Sequence, residues 1–224
     1  SGFATGILVV IVLALSAHSV LEAQEFDIPP IERRLNNGMT GTDFWFAIPP
    51  TIGSFGGSEN LYIVVNSMVD TRILLTVGGG SPLQKEVKAN ELTVLSTDNN
   101  EANWAWEVKN SEQVADRGIN IKADDPVAVS VVTAKQRAAD GYTVLPTRML
   151  GNDYVACTYY DYPGFGPTGD IGGGFLIVAT EDGTTVSFTL DGVDVGPGET
   201  VGGLSVGDSR TINLRAGEAY AVMS

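Results

Sequence analysis

From residue 43 onward, apolar and polar residues alternate in short runs, and Gly, Pro, Asn or Asp interrupts each run after a few residues. No stretch there sustains a 3.6-residue period. An extended chain points successive side chains to opposite faces, so alternation commits these runs to strands with one buried face. Closely spaced turn signals between them are the pattern of an all-β fold. "LYIVVNS" and "TRILLTVGGG" are expected to pair with each other, with Ile73, Leu75 and Val77 facing one way. "INIKADDPVAVSVVTAK" reads as two strands around a turn at Asp124, Asp125 and Pro126, because proline has no N–H to give to a ladder. "FLIVATEDGTTVSFTLDG" reads as a hairpin with Asp182-Gly183 in a type I′ turn and Val186, Phe188 and Leu190 on one face.

"DFWFAIPP" opens this region with three consecutive aromatics. On a strand, Phe44 and Phe46 share a face and Trp45 takes the other. A strand apolar on both faces belongs between two layers, which points to an antiparallel β-sandwich. Composition agrees: the 224 residues include 27 Gly, and only 18% are charged, which suits many short strands joined by tight turns and argues against disorder.

The alternation also repeats. "IVVNSMVDTRILLTV" (63–77) parallels "IVATEDGTTVSFTL" (177–190), one residue shorter in the turn. Downstream, "VKANELTVLS" parallels "LRAGEAYAVMS", where Asn90 and Gly217 suit the left-handed position such a turn requires. The expected organisation is two related β-units in tandem, 43–135 and 136–224, after a polar, Pro-containing linker over 24–42.

The chain begins with an apolar leader. Gly6 to Ala17 carries no charge and has the length of a signal-peptide core rather than of a spanning helix. Residues 1–23 are expected to be a signal peptide, with cleavage points at Ala17 and Ala23, or a retained N-terminal apolar helix of the kind that packs pilin-like subunits into filaments. Both readings place the β-rich part outside the cytoplasm.

Catalytic chemistry finds little support. The sole histidine, His18, lies in the leader, which removes Ser-His-Asp and Cys-His arrangements and nearly every zinc site from the remainder. The sole cysteine, Cys157, can form no intrachain disulfide and is expected to be a buried, inert thiol on a strand face with Val155 and Tyr159. "DNNEAN" (98–103) offers oxygen ligands for calcium but lacks the glycine and distal glutamate of an EF-hand loop. "VGGGSP" and "DIGGGF" lack the Lys-Ser/Thr of a phosphate loop. No cofactor and no catalytic residue is expected. The net charge of −14 disfavours nucleic acid and anionic membranes as partners. Aromatics in loops are the candidate contacts: Trp104 and Trp106 on one face of "NEANWAWEV", and Tyr159, Tyr160, Tyr162 and Phe165 in the Gly/Pro-rich "TYYDYPGFGPTGDIGGG".

Three ordered blocks carry a family resemblance: "GINIKADDPV" (118–127), "LPTRMLGNDY" (145–154) and "FLIVATEDGTTV" (175–186). With "GTDFWFAIPP" before them, they resemble the N-terminal domain of IgG Fc-binding proteins and its bacterial relatives. The resemblance implies an all-β, secreted or surface-exposed module of large adhesive or mucin-associated proteins, and it carries no assigned binding residues. The expected function is therefore a non-catalytic extracellular module that binds, adheres or builds structure at the cell surface. A filament subunit assembled through residues 1–23, and a carbohydrate-binding or carbohydrate-active secreted protein, are the alternatives.

Overall fold

In the computed structural model, the described residues are 38–49, 60–96, 106–108, 110–135, 138–157, 174–190, 200 and 203–223. All fall in one compact unit, Leu35–Ser224. The apolar leader, with its expected signal peptide or helix, and residues 24–37 of the linker lie outside them.

Among the described residues the fold is all-β. Its strands are β1 (Gly41–Phe46), β2 (Asn60–Ser67), β3 (Thr71–Val77), β4 (Leu83–Val87), β5 (Leu92–Ser96), β6 (Val114–Asp116), β7 (Ile119–Lys135), β8 (Ala138–Thr143), β9 (Gly174–Val178), β10 (Thr184–Thr189), β11 (Ser209–Leu214) and β12 (Glu218–Met223). Every ladder between these strands is antiparallel.

β7 organises the first sheet. Its early half lies between β3 and β1, with Ile121 opposite both Leu75 and Phe44. Its later half lies between β2 and β8, with Val131 opposite both Ile63 and Tyr142. The turn expected at Asp124–Pro126 is absent: one strand of 17 residues runs through it. The residues there do mark a change of partners. β3 pairs as far as Ala123 and β2 takes over at Val127, so Pro126 occupies a position where no ladder bond to β2 or β3 needs its missing N–H. Thr71 Oγ1 accepts from Asp125 N at 2.9 Å, and Ser67 Oγ donates to Pro126 O at 3.2 Å, so side chains close the gap. Across the sheet the register slips at the same level, from Gly41 opposite Val127 to Asp43 opposite Lys122. Such a bulge bends a strand.

Two expected pairings are corrected by this arrangement. β2 and β3 do not form a hairpin; they follow one another in the same direction along β7, and their outer edges take β5 and β4. Likewise β9 and β10 do not pair with each other. β9 pairs with β12, and β10 pairs with β11. Only Gly183 takes a positive φ (75°) in that link, so Asp182-Gly183 is not a type I′ turn, which needs both central residues there. Short links of this kind serve as corners, turning one long ribbon onto a new course instead of reversing it.

The alternation dictates the core. Leu61, Ile63 and Val65 of β2, Ile73, Leu75 and Val77 of β3, and Ile119, Ile121, Val127, Val129 and Val131 of β7 share one cluster with Phe44, Phe46 and Trp106. Every member from β7 is odd-numbered, so the strand keeps one face inward through its bend. Full burial of each such side chain contributes about 1.5–3 kcal/mol.

Candidate binding surface

β9 to β12 form a second ribbon built like the first. β3–β4 and β10–β11 are consecutive antiparallel pairs, and β2–β5 and β9–β12 are the pairs that enclose them. The corners correspond bond for bond. At the first, Asp70 Oδ1 accepts from Ala89 N at 2.9 Å, and Asn90 N donates to Ser67 O at 2.8 Å. At the second, Asp182 Oδ1 accepts from Ala216 N at 3.0 Å, and Gly217 N donates to Ala179 O at 2.9 Å. Asn90 and Gly217 have φ of 62° and 81°, as their positions in the repeat require. Left-handed backbone costs a residue with a Cβ roughly 1–2 kcal/mol, and asparagine is among the few that adopt it. Asn90→Val is therefore expected to lower stability by about 1–2 kcal/mol in urea titration, while Asn90→Gly leaves it nearly unchanged.

Charges reinforce both corners. Lys88 Nζ lies 2.8 Å from Asp70 Oδ2, and with the Ala89 amide it holds the Asp70 carboxyl below the usual range. The Arg215 amide and guanidinium both donate to Glu218, which lowers the Glu218 carboxyl in the same way. A carboxyl depressed by folding adds stability above its unfolded value and loses it as pH falls through the folded one. Glu218→Gln should thus flatten the fall in thermal midpoint as pH drops below 4.5, relative to wild type.

Where the second ribbon meets the first sheet, backbones touch. Gly78 N donates to Gly118 O at 2.8 Å, and Gly118 N donates to Gly217 O at 2.8 Å. The Trp45 ring lies against Gly217, where a Cβ would stand 3.3 Å from Cζ3. So Phe44 and Phe46 fill the first core while Trp45, on the opposite face, meets the second ribbon. β9 is apolar on both sides: Leu176 and Val178 pack with Ala47 and Val108, and Phe175 and Ile177 pack with Tyr220 and Val222. An open apolar groove of about 350 Å³ runs beside this seam, lined by Trp45, Pro49, Tyr142, Leu145, Leu176 and Val178. The Tyr142 hydroxyl donates to Ala47 O at 2.9 Å. Although 39% of the residue is exposed, loss of water around its hydroxyl raises the group above the usual tyrosine value. Neutral tyrosine is thereby favoured by folding, so that contribution is present below pH 10 and fades as pH rises further.

One polar cluster here was invisible in the sequence. Arg210 Nη1 donates to the Tyr220 hydroxyl at 3.0 Å and to Glu112 Oε2 at 3.2 Å, which raises the guanidinium further. Glu112 sits at a φ of 58° and its N–H donates to Ala221 O at 2.7 Å. Glu112 and Arg210 are 98 residues apart, and no local pattern joins them.

The aromatics singled out from the sequence divide. Trp106 is corrected: it is 2% exposed and belongs to the first core, so it offers nothing to a partner. Trp104, Tyr159, Tyr160, Tyr162 and Phe165 lie outside the described residues, as does the calcium candidate 98–103. Cys157 is also corrected: it is exposed, and the described residues leading to it (151–157) form no strand that could bury it. Its neighbours Tyr154 and Val155 are 71% and 91% exposed. Among the described residues no group of three His, Cys, Asp or Glu side chains could hold a metal ion.

The second ribbon is also where comparison with known proteins succeeds. Residues 140–224 match the family model of IgGFc binding protein. The IgGFc-binding match begins inside β8 and takes in β9 to β12 with the corner at Asp182 and Gly217. It contains two of the three blocks that carry the resemblance, 145–154 and 175–186, and excludes 118–127. No curated protein and no solved structure matches the chain.

Proposed function

We propose that this protein is a secreted or cell-surface module that binds a protein partner and performs no catalysis. The observation that carries this reading is the IgGFc-binding match over the second ribbon. Within the matched residues, Thr185, Ser187 and Thr189 of β10 are engaged with Asn213, Thr211 and Ser209 of β11 in an exposed side-chain ladder, a face suited to water. The architecture we propose is a β-sandwich of two related units in tandem, 43–135 and 136–224, that exchange strands: β8 of the second pairs with β7 of the first, and β6 of the first pairs with β12 of the second, while each ribbon turns at an Asp-capped corner.

The test is direct. Immobilised immunoglobulin Fc and mucin are titrated with the full chain by biolayer interferometry. Saturable binding to either supports the module. Absence of binding to both, together with recovery of the protein in the cytoplasmic fraction of its source cells, overturns it.

A further inference from the structure

We propose that the edge formed by β9 and β10 takes an extended peptide strand of a partner protein, added antiparallel, in the place that β7 holds on the first ribbon. This rests on the binding-module reading and names the surface and the chemistry of its ligand.

The two ribbons are each other's control. On the first, β2 and β3 have β5 and β4 on one edge and β7 along the other. On the second, β9 and β10 have β12 and β11 on one edge, and among the described residues no strand pairs with the other. Burial follows. Ile63, Val65, Ile73 and Leu75 are all 0% exposed, whereas Phe175, Ile177, Val186 and Phe188 are only partly buried, although they point into a cluster of the same kind. That cluster is short of one wall, the one β7 provides to its counterpart.

The edge is also undefended. Solvent-facing edge strands ordinarily carry lysine, proline or a bulge, which discourage another chain from pairing. "GFLIV" and "TTVSFT" contain no charge and no proline. A strand that adds here gains main-chain hydrogen bonds along the ladder and buries alternate apolar side chains against Phe175, Ile177, Val186 and Phe188.

β7 and the corner specify the ligand. β7 spans 17 residues, with apolar positions alternating on either side of its bend. On the first ribbon Arg72, second residue of β3, meets Asp124 of β7 at 2.8 Å. The second residue of β10 is Thr185, and the acids Glu181 and Asp182 precede it. The strand accepted here therefore carries Val or Ile at alternate positions and, at its bend, lysine or arginine in place of β7's aspartates.

Two synthetic peptides test this against the full chain: the Ile119–Lys135 sequence itself, and the same sequence with lysine at both positions corresponding to Asp124 and Asp125. Hydrogen exchange reads the amides of β9 and β10, and fluorescence anisotropy reads affinity. The lysine peptide should slow exchange in β9 and β10 and bind better than the aspartate peptide. Thr185→Arg, at an exposed position, should reverse that preference, each by about fivefold. Thermal midpoint confirms that the variant remains folded. The proposal is overturned if neither peptide protects the edge, or if Thr185→Arg leaves the preference unchanged. It is also overturned if the edge is already fully protected without peptide, through the chain's own residues or, where protection grows with protein concentration, a second copy. Fc or mucin binding that persists alongside any of those results leaves the module reading standing and removes only this edge.

Discussion

Phe44→Ala should lower stability by about 3–5 kcal/mol, the range for losing a fully buried aromatic ring. Phe44 is 0% exposed, and its strand pairs directly with the early half of β7, where it stands opposite Ile121. Removing the ring takes away its contacts and leaves a cavity that fixed neighbours cannot fill. Those neighbours are held from two directions, because Ile121 is itself tied to Leu75 on the far side. Asn120 Nδ2 further pins the strand by donating to Phe44 O and Asp43 Oδ1, both at 2.9 Å, so the backbone has little room to collapse inward. Urea titration followed by tryptophan fluorescence measures the loss. Met149→Ala, at an exposed side chain, is the control and should stay within about 0.5 kcal/mol of wild type. A Phe44→Ala loss below about 1.5 kcal/mol would mean that the first core does not close around β1.

The second large effect is expected from one methyl group. A Cβ on Gly118 would stand 2.6 Å from Gly217 O and 2.9 Å from its Cα and carbonyl carbon. These are backbone atoms, and none can rotate away. Gly217 cannot retreat, since its N–H is bonded to Ala179 O and the Trp45 ring lies behind it. Gly118→Ala must therefore push the two backbones apart and break the Gly118–Gly217 bond that joins the second ribbon to the first sheet. A loss of about 3 kcal/mol follows, seen as a fall in thermal midpoint of roughly 6–12 °C for a protein of this size. Gly151→Ala meets nothing within 4 Å and should leave the midpoint unchanged. If Gly118→Ala were as silent as Gly151→Ala, the close approach of Gly78, Gly118 and Gly217 would not be what seats the second ribbon.

Much of this is legible in the sequence. Alternation alone assigned Ile73, Leu75 and Val77 to one face, and all three are buried together. The repeat singled out Asn90 and Gly217 as left-handed positions, and both have positive φ. The family resemblance rested partly on 145–154 and 175–186, which lie within the matched residues. Pairing partners are not legible where a short link rounds a corner instead of reversing the chain. The links 68–70 (Met-Val-Asp) and 179–183 (Ala-Thr-Glu-Asp-Gly) are short and contain an Asp, and a link of three to five residues reads the same whether it closes a hairpin or rounds a corner. The candidate surface is hardest to see, because an edge with no partner among the described residues has no local signature: "GFLIV" reads as an ordinary core strand.

The sequence by itself determined the all-β class, the inward face of β3 and the two left-handed corners, because these depend on side-chain period and on backbone conformations open to single residues. Tertiary structure alone decided that β7 runs unbroken past Pro126, that Trp106 and Cys157 exchange the environments expected of them, and that, among the described residues, no strand stands beside β9 and β10 as β7 stands beside β2 and β3. Those outcomes depend on which distant segment supplies the next row of hydrogen bonds, and a strand's own residues carry almost no record of that choice.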